Sequence, residues 1–567
     1  MTHSIVRGLL AGVAALAFPA LAAAQSPSAS GNPSGPTAQD YMKDSGSNWI
    51  LPAGNYSGNR QISEGEIGPD NVGDLKKAWT FKLPDDGPIE SSPIVWNGTI
   101  YITSNHDDIY AVDAETGKLD WQYNPKPMQL VGFPRNRGVA LMNGTLYIAM
   151  IDGHLAAVDA KTGKEKWNKQ TVANPKNSFY TMQPVPYKDE LLLGVSDGDW
   201  GGIGNISAFS PKDGSRLWKW ESIPKPGEKG HDSWSGDSWK RGCGAIWNGL
   251  AVDPKTDTLY VTVGNPCPDF LGKPRQGDNL YTNSMVALDI SGKQPTMKWF
   301  HQFRPHDTHD WDPAMPPVLF TGTVDGKKTK LAAAGDKGGT FWILNAETGK
   351  LVSDTPVSYQ MNQNSSPPIE GTNYACPNTN GGVEFNGGAF DPSTNTFFVP
   401  STNQCGKWTA AQKAQLIAGQ FYLGGSFPSL VGPNSGWFNA IDVGNGIAAW
   451  RHHLDLPANG GALVMDYNGS AKGSGSGSAK GASLVFTGLL DGHFNAYDTK
   501  TGKVLWSYDT GASIIAPPAT FTMNDHRYLL VSSGDPGFLK VSEMTKPAGP
   551  AHLTAFVEGS SNSQAAQ

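Results

Sequence analysis

The chain has 567 residues, of which 17% are charged, and its formal net charge is -7. Glycine (68 residues), proline (41) and tryptophan (18) are abundant, which favours a turn-rich, all-β globular fold and excludes a disordered chain or a coiled coil. Because the chain is mildly acidic and has no basic runs, it lacks the electrostatic footprint of a nucleic-acid-binding protein.

The first 24 residues have the pattern of a secretory signal peptide. Arg7 precedes the apolar stretch GLLAGVAALAFPALAAA, whose final AAA, just before Gln25, offers a small-residue cleavage site. A membrane anchor is the alternative, but proline and small residues interrupt the stretch, and no later segment is long and apolar enough to span a bilayer. We therefore expect residues 1–24 to be removed, residues 25–567 to form one domain, and the protein to be exported to a bacterial periplasm.

One motif recurs along the chain: a small apolar pair, an Asp, a turn containing Thr-Gly-Lys, and then Trp. Runs such as GTIYITS and GTLYIAM precede it, so each copy predicts strand, tight turn and strand. The copies end at or occupy Trp79 (an opening half-copy), Trp121, Trp167, Trp218, Trp299, Ile343–Lys350 (a degraded copy without Trp), Trp450 and Trp506. Eight related units predict an eight-bladed β-propeller, in which a tryptophan at a fixed place docks each blade on its neighbour.

The four cysteines bracket two predicted hairpins. Cys243 and Cys267 flank a hairpin that turns at DPKTDT, and Cys376 and Cys405 flank one that turns at DPSTNT. In an oxidising compartment this arrangement predicts the disulfides Cys243–Cys267 and Cys376–Cys405, with free buried thiols as the alternative. The chain has neither CxxC nor CxxCH, so the sequence predicts no zinc ribbon and no covalent haem.

Three further segments near the end of the chain are predicted to form a loop, a strand and a tail. Residues 468–482, which include GSAKGSGSGSAKG, are expected to form a flexible surface loop. The strand HRYLLVSSG is expected to close the ring with N-terminal sequence, and residues 556–567 are expected to form a disordered tail.

The stretch HDTHDWDP, His306–Pro313, concentrates two histidines and three aspartates. Such a cluster can be a surface accident, a metal site or the base of an enzyme. Hard cations prefer oxygen ligands, so we expect His306 and His309 to be packing or supporting groups rather than metal ligands.

Several stretches together resemble the pyrroloquinoline quinone (PQQ) dependent alcohol dehydrogenases, including methanol dehydrogenase large subunits. They are GDSWKRGCGAIWNGLAVDP, VGNPCPDF, GDNLYTNSMVALD, RPHDTHDWD and GGVEFNGGAFDP, and the resemblance runs from NWILPAGNYSGNRQ to SIIAPPATFTM. It implies an eight-bladed propeller with PQQ and a metal ion on its axis. The implied reaction is the oxidation of an alcohol to an aldehyde or ketone by hydride transfer to PQQ.

The resemblance also implies roles for individual residues. Trp247 matches the tryptophan that stacks under PQQ, and Asp310 matches the catalytic base. Asn265 matches a metal ligand, and Asp199 falls where the family usually has a glutamate ligand. Lys337 matches the Arg or Lys beside the quinone carbonyls. The positions that hold PQQ's polar groups fall on Glu90, Arg137, Thr181 and Ser196. Cys376 and Cys405 have the spacing of a family disulfide.

These assignments fit the needs of the chemistry. No side chain accepts a hydride, so an organic cofactor must, and no dinucleotide fingerprint is present. A hard cation on oxygen ligands supplies a Lewis acid, and Asp310 supplies the general base. Lys337 can stabilise negative charge that develops on the cofactor.

The sequence departs from the family in two places near the cofactor. The adjacent cysteines that often precede the NRG stretch are absent from LVGFPRNRG, so Val131 or Phe133 is expected to cover PQQ instead. Glu384 stands where methanol dehydrogenases tend to have an asparagine, which makes the cavity more acidic and would suit an amine-bearing substrate.

Asp312 bears on the identity of the metal. An aspartate two residues after the catalytic one resembles the lanthanide-dependent subclass, whereas calcium enzymes usually have a small uncharged residue there. A third carboxylate compensates a trivalent ion better, so calcium and a lanthanide both stay open. The alternative is that Asp312 turns away and caps a loop, since Pro313 differs from the subclass pattern.

Rival functions are a PQQ enzyme for a sugar, polyol or bulky alcohol, and a non-catalytic periplasmic scaffold. The absence of a haem motif implies a separate cytochrome c or comparable electron acceptor.

Overall fold

The computed structural model describes residues 35–43, 46–85, 87–125, 134–467, 482–539 and 550–559. They all belong to one compact unit, Pro33–Gln567, and they confirm the all-β prediction. Helix is limited to short 3₁₀ turns at Asp40–Met42, Val72–Asp74, His231–Ser233, Ser238–Arg241, Lys273–Arg275 and Gly537–Leu539. Over these same ranges, no helix has the length and apolar character needed to cross a membrane. The predicted signal peptide and residues 468–481 of the predicted loop lie outside the described residues, and Ala482 begins a strand.

The first four sheets each contain four strands joined by hairpins. Sheet one comprises Ile94–Trp96, Thr99–Thr103, Ile109–Asp113 and Leu119–Tyr123; sheet two comprises Ala140–Met142, Thr145–Ala149, His154–Asp159 and Glu165–Gln170. Sheet three comprises Val185–Tyr187, Glu190–Gly194, Asn205–Phe209 and Arg216–Glu221; sheet four comprises Leu250–Asp253, Thr258–Val263, Ser284–Asp289 and Thr296–Gln302.

The remaining sheets are less uniform. Sheet five comprises Val318–Val324, Lys327–Gly335, Thr340–Asn345 and Leu351–Pro356; sheet six comprises Asn373–Ala375, Ala389–Asp391, Thr396–Trp408, Ser429–Asp442 and Ile447–Leu454. Sheet seven comprises Gln61–Gly65, Ala462–Tyr467, Ala482–Gly488, His493–Asp498 and Val504–Asp509; sheet eight comprises Leu75–Lys82, Ala519–Met523, His526–Ser533 and His552–Glu558.

Two N-terminal strands join the last two sheets. Gln61–Gly65 pairs in parallel with Ala462–Tyr467, and Leu75–Lys82 pairs antiparallel with His552–Glu558. The strand within HRYLLVSSG, His526–Ser533, shares a sheet with the N-terminal strand Leu75–Lys82, and His552–Glu558 lies between the two and pairs with both. The disordered tail predicted from residue 556 is wrong for residues 556–558, which are strand; Phe556 is fully buried and anchors this strand.

Apolar cores lie between consecutive sheets. Six buried clusters each lie between two consecutive sheets. The first lies between sheets one and two, and the last between sheets six and seven. A further cluster joins sheets seven, eight and one, so the packing order returns to its start. Strands buried on both faces explain the near-continuous apolar runs of the sequence, because each sheet needs a neighbour on either side.

The repeated tryptophans contact the next sheet at a fixed place, which we call the seam. Trp79 Nε1 donates to the Ala114 carbonyl at 3.1 Å, and the indole lies over Gly117. A Cβ at Gly117 would come within 2.6 Å of the ring, and its φ of +68° also favours glycine. The same Trp-over-Gly contact is formed by Trp121 with Gly163, Trp167 with Gly214, Trp299 with Gly349 and Trp450 with Gly502.

Three of the eight motif copies differ. At the degraded copy, Ser353 rather than Trp lies against Gly446. Trp218 Nε1 donates within its own sheet, to Glu190 at 3.0 Å. Trp506 packs on Phe556 with ring centroids 5.3 Å apart.

Both predicted disulfides, Cys243–Cys267 and Cys376–Cys405, are confirmed. Cys243 and Cys267 bracket the sequence that carries Trp247 and Asn265, so this disulfide braces two of the residues singled out above.

Candidate cofactor and metal site

One cavity of about 440 Å³ brings the candidate site residues together. They come from segments that lead into or connect the strands of sheets one to six. All eleven line its wall: Glu90, Arg137, Thr181, Ser196, Asp199, Trp247, Asn265, Asp310, Asp312, Lys337 and Glu384. The sequence therefore located the side chains that converge, although they are spread over most of the chain.

Lys337 lies at the centre of the acidic side of the cavity. Its Nζ is 3.0 Å from Asp310 Oδ1 and 2.8 Å from Asp312 Oδ1. Trp247 Nε1 donates to Asp312 Oδ2 at 2.7 Å, and Asp312 is fully buried. Asp312 thus faces the cavity and does not turn away to cap a loop.

The loop that presents Asp310 is held by its neighbours. Asp307 accepts backbone N–H groups from His309 (3.0 Å) and Trp311 (2.8 Å), and Asp310 itself has a φ of +58°. His309 stacks on Trp311 with ring centroids 4.1 Å apart, and burial lowers the pKa of His309 to about 3, which keeps the ring neutral. His306 contacts a backbone carbonyl. Both histidines therefore serve as packing groups in this structure.

Asp199 and Asn265 face Lys337 from another side. Asn265 Nδ2 donates to Asp199 Oδ1 at 3.2 Å, and Asp199 also has positive φ. Behind them Asp269, only 1% exposed, interacts with the Asp199 carboxyl group. Sequence reasoning missed Asp269, although VGNPCPDF places it four residues after Asn265 and next to a disulfide.

These carboxylates carry unbalanced charge. Burial, with Asp199 and Asp312 nearby, raises the pKa of Asp310 well above its usual range, although Lys337 opposes the rise. Burial and Asp199 raise the pKa of Asp269 in the same way. Burial alone would lower the pKa of Lys337, but Asp310 and Asp312 raise it well above its usual range. Asp199, Asp310 and Asp312 thus share one buried ammonium, an imbalance that a bound cation would relieve.

The carboxylates do not already enclose a metal-sized point. Across the described ranges, no three Asp, Glu, His or Cys side chains converge as a preformed metal site; the Lys337 ammonium lies between two of them instead. The donors are nonetheless the hard oxygen groups that calcium and lanthanide ions require, so the residues fit such an ion.

The opposite side of the cavity is suited to a planar anion. The Arg137 guanidinium lies 5.0 Å from the Trp247 ring centroid and 4.2 Å from that of Phe385. Glu90 bridges Arg135 at 2.6 Å and Arg137 at 2.8 Å. Flat rings beside guanidinium groups fit an aromatic ligand that carries carboxylates.

Polar groups complete this side. Thr181 and Ser196 share a hydroxyl hydrogen bond of 2.7 Å, and Thr181 also donates to the Trp247 carbonyl at 3.2 Å. Glu384 is partly exposed into the cavity rather than buried away from it. Burial raises the pKa of Glu384 to about 8.

An aromatic wall that sequence reasoning did not find lines another part of the cavity. Trp200 lies between Phe179 (5.9 Å) and Phe421 (4.4 Å), and Phe421 contacts Phe427 at 5.1 Å. Phe421 and Phe427 lie in the connection before Ser429–Asp442, where no periodic pattern marks them. Phe427 is 43% exposed, so the wall reaches the surface.

The residues expected to replace the adjacent cysteines cannot be placed on this wall. Val131 and Phe133 lie outside the described residues.

The chain is similar to known proteins in both sequence and fold. The β-propeller domain model of PQQ-dependent glucose, ethanol and alcohol dehydrogenases matches residues 49–358 and 418–529. A lanthanide-dependent methanol dehydrogenase from Methylacidiphilum fumariolicum is 30% identical over 542 residues, covering 87% of this chain and 86% of the relative. Quinoprotein alcohol dehydrogenase PedH from Pseudomonas putida is 29% identical over 508 residues, covering 82% of each.

Solved structures agree. The structure of a europium-containing methanol dehydrogenase superposes with a TM-score of 0.80 at 26% identity, covering 92% of this chain and 99% of that one. With a family model matched over most of its length and a site built from the expected side chains, the chain belongs to the PQQ-dependent β-propeller dehydrogenases.

Proposed function

We propose that this protein is an exported, periplasmic enzyme that oxidises an alcohol to an aldehyde or ketone. PQQ would accept the hydride, a calcium or lanthanide ion would act as Lewis acid, and a separate cytochrome c or similar protein would take the electrons. The observation that carries the proposal is the convergence of eleven candidate residues on one cavity. A non-catalytic scaffold would have no need of this arrangement.

The arrangement of the eight sheets also supports the proposal. We infer that the eight sheets are the eight blades of a closed propeller and that the tryptophan seams dock neighbouring blades. The cyclic order of the apolar clusters supports closure, and five repeated Trp-over-Gly contacts support docking. In such a ring the loops of successive blades meet near the axis, which gives one cavity side chains from many blades.

The side of the cavity lined by Arg137 and the aromatic rings would hold PQQ. This cofactor supplies an electron-pair acceptor that no side chain can provide. Trp247 and Phe385 would contact its rings, and Arg137 would bind a carboxylate. The hydroxyls of Thr181 and Ser196 would hydrogen-bond its polar edge.

The acidic side would hold the metal ion through Asp199, Asn265, Asp310 and Asp312. Charge matching favours a trivalent ion, because Asp312 faces the cavity and Asp269 adds a further carboxylate behind Asp199. The proposal includes both calcium and a lanthanide, and reconstitution with each ion distinguishes the two.

Asp310 is the general base of the proposed reaction. A carboxylate beside a metal ion stays ionised because the cation lowers its pKa, whereas burial alone raises it. Lys337 contacts Asp310 Oδ1 at 3.0 Å and so orients the carboxylate that takes the hydroxyl proton. The buried surroundings keep bulk water from competing for that proton.

The aromatic wall favours an alcohol with a sizeable apolar group. Trp200, Phe421 and Phe427 offer ring faces near Asp199 and toward the surface. An amine-bearing alcohol is a second candidate, since Glu384 faces the cavity. A pKa of about 8 leaves Glu384 mostly uncharged at pH 7, which favours the neutral substrate.

Reconstitution tests the proposal. Purified protein would be stripped of metal, supplied with PQQ and either calcium or a light lanthanide, and assayed with aliphatic, aromatic and amino alcohols and an artificial electron acceptor. We expect PQQ binding and turnover that Asp312→Ala shifts toward calcium. Asp455→Asn, at an exposed position, is the matched control. Failure to bind PQQ with either metal would favour the scaffold.

A further inference from the structure

A second, smaller cavity lies beside the cofactor cavity. Its volume is about 60 Å³. Glu90, Arg137 and Phe385 line both cavities and therefore form the partition between them. The other walls come from residues 51–60 and from segments around Asn248 and Pro317.

Arg60 lines this cavity as a buried cation without a counter-ion. It is 6% exposed, and its guanidinium donates one hydrogen bond, from Nη1 to the Pro52 carbonyl at 3.1 Å. Over the ranges that the structure describes, Arg60 forms no ion pair. Burial lowers its pKa only to about 10, so it is charged at neutral pH.

Arginines of low exposure elsewhere in the described ranges are partnered to different extents. Arg275 is completely buried, and its guanidinium donates to Pro268 (3.0 Å), Asn279 (2.8 Å) and Asp269 (3.1 Å). Arg304 pairs with Asp336 through two nitrogens. Arg60 differs from Arg275 and Arg304 because most of its five N–H donors have no acceptor among the described residues.

A buried, unpaired guanidinium is strongly destabilising, so a compensating group is expected beside it. The nearest acidic residue lining the cavity, Glu90, is already engaged by Arg135 and Arg137. The cavity is large enough for a few water molecules or for one small anion with residual water. It is too small for PQQ or another cofactor-sized ligand.

We propose that Arg60 binds a small monovalent anion of the halide class, with chloride as the physiological example, in this cavity. The Gln183 side chain lines the same space and offers a second N–H donor. Gly387 permits the arrangement, because a Cβ there would lie 3.2 Å from Arg60 Nε. The site is separate from the proposed PQQ and metal site and does not depend on that function.

Bromide tests the proposal directly on the wild-type chain. Crystals grown without halide and soaked in bromide should show an anomalous scattering peak beside Arg60. The absence of a peak there, with ordered water in its place, would overturn the proposal.

A solution experiment tests the role of Arg60. At constant ionic strength, replacing gluconate with chloride should raise the thermal unfolding midpoint of the wild type saturably. Arg60→Gln should lose this response. The matched control is Arg527→Gln, because Arg527 is also buried with a single backbone bond, to Gly46 at 3.3 Å, and lines neither of these two cavities.

Arg60→Lys covers the case in which Arg60→Gln does not fold. It keeps the charge but loses the guanidinium fork, so the chloride concentration for half-saturation should rise at least severalfold. An unchanged chloride response in Arg60→Gln or Arg60→Lys would show that chloride acts elsewhere and would refute the assignment.

Discussion

The tryptophan seams and the cofactor cavity differ in how their polar groups are partnered. At the seam of sheets eight and one, the Trp79 N–H has a carbonyl partner, and the ring lies flat on a glycine. In the cavity, Asp310 and Asp312 share the single ammonium of Lys337. The seams are complete in the protein alone, whereas the cavity is electrostatically complete only with a ligand. Removing a seam tryptophan should therefore destabilise the fold. Removing one carboxylate from the cavity should instead reduce the electrostatic repulsion there.

Asp310→Asn is the strongest test of this contrast. We expect kcat of the reconstituted enzyme to fall about 1,000-fold, or about 4 kcal/mol, because the proposed general base is lost. The metal-free variant should be at least as stable as the wild type, since one repelling carboxylate is gone.

Activity and urea unfolding would be measured on the same preparations, with Asp455→Asn as the control. A variant that loses activity only because it unfolds would contradict both the role of Asp310 and the contrast with the seams.

Trp79→Ala should have the largest effect at a seam. Removing a buried indole leaves a cavity and should lower the free energy of unfolding by about 3 kcal/mol. Trp79→Phe keeps a ring over Gly117 and loses the hydrogen bond, so its loss should be nearer 1 kcal/mol. Equal effects of the two variants in urea unfolding would show that the ring contact contributes little.

Asp269→Asn should weaken metal binding about 10- to 100-fold, because a partner that orients a ligand is lost. Calorimetric titration with a lanthanide in the presence of PQQ measures this without turnover. Asp197→Asn is the matched control, since Asp197 is equally buried but hydrogen-bonds Ser178. Equal metal affinity in wild type and Asp269→Asn would remove Asp269 from the site.

Asp466→Asn should have the smallest effect on stability, and this effect should depend on pH. Burial and the neighbouring Asp391 raise the pKa of Asp466 to about 6, against 3.8 ordinarily. The folded state therefore holds a proton that the unfolded state releases first, and stability falls as pH rises from about 4 to 6. Because Asp466 is partly exposed, we expect Asp466→Asn to recover only about 1 kcal/mol at pH 7.

Unfolding midpoints between pH 4 and 7 measure this difference. Parallel pH profiles for the wild type and Asp466→Asn would show that another group titrates.

The sequence predicted those features that repeat or match short motifs. The tryptophan motif located the five Trp-over-Gly seams, and the hairpin positions predicted both disulfides. Sequence reasoning failed where contact depends on long connections. Phe421 reaches the cavity only through the packing of a long connection, and nothing in its local pattern marks it. The final strand was missed because His552–Glu558 carries no copy of the tryptophan motif and follows a segment with no strand pattern.

That final strand has a consequence for how the molecule is made. Trp79 and Ala555 are paired neighbours in sheet eight although they stand near opposite ends of the chain. During synthesis, sheets one to seven can form in order, but sheet eight lacks an interior strand until residue 558 has emerged. The sheet order can therefore be completed only when residues 552–558 are available to pair with residues 75–82, which would suit the proposed export of an unfolded chain that takes up its proposed ligands afterwards.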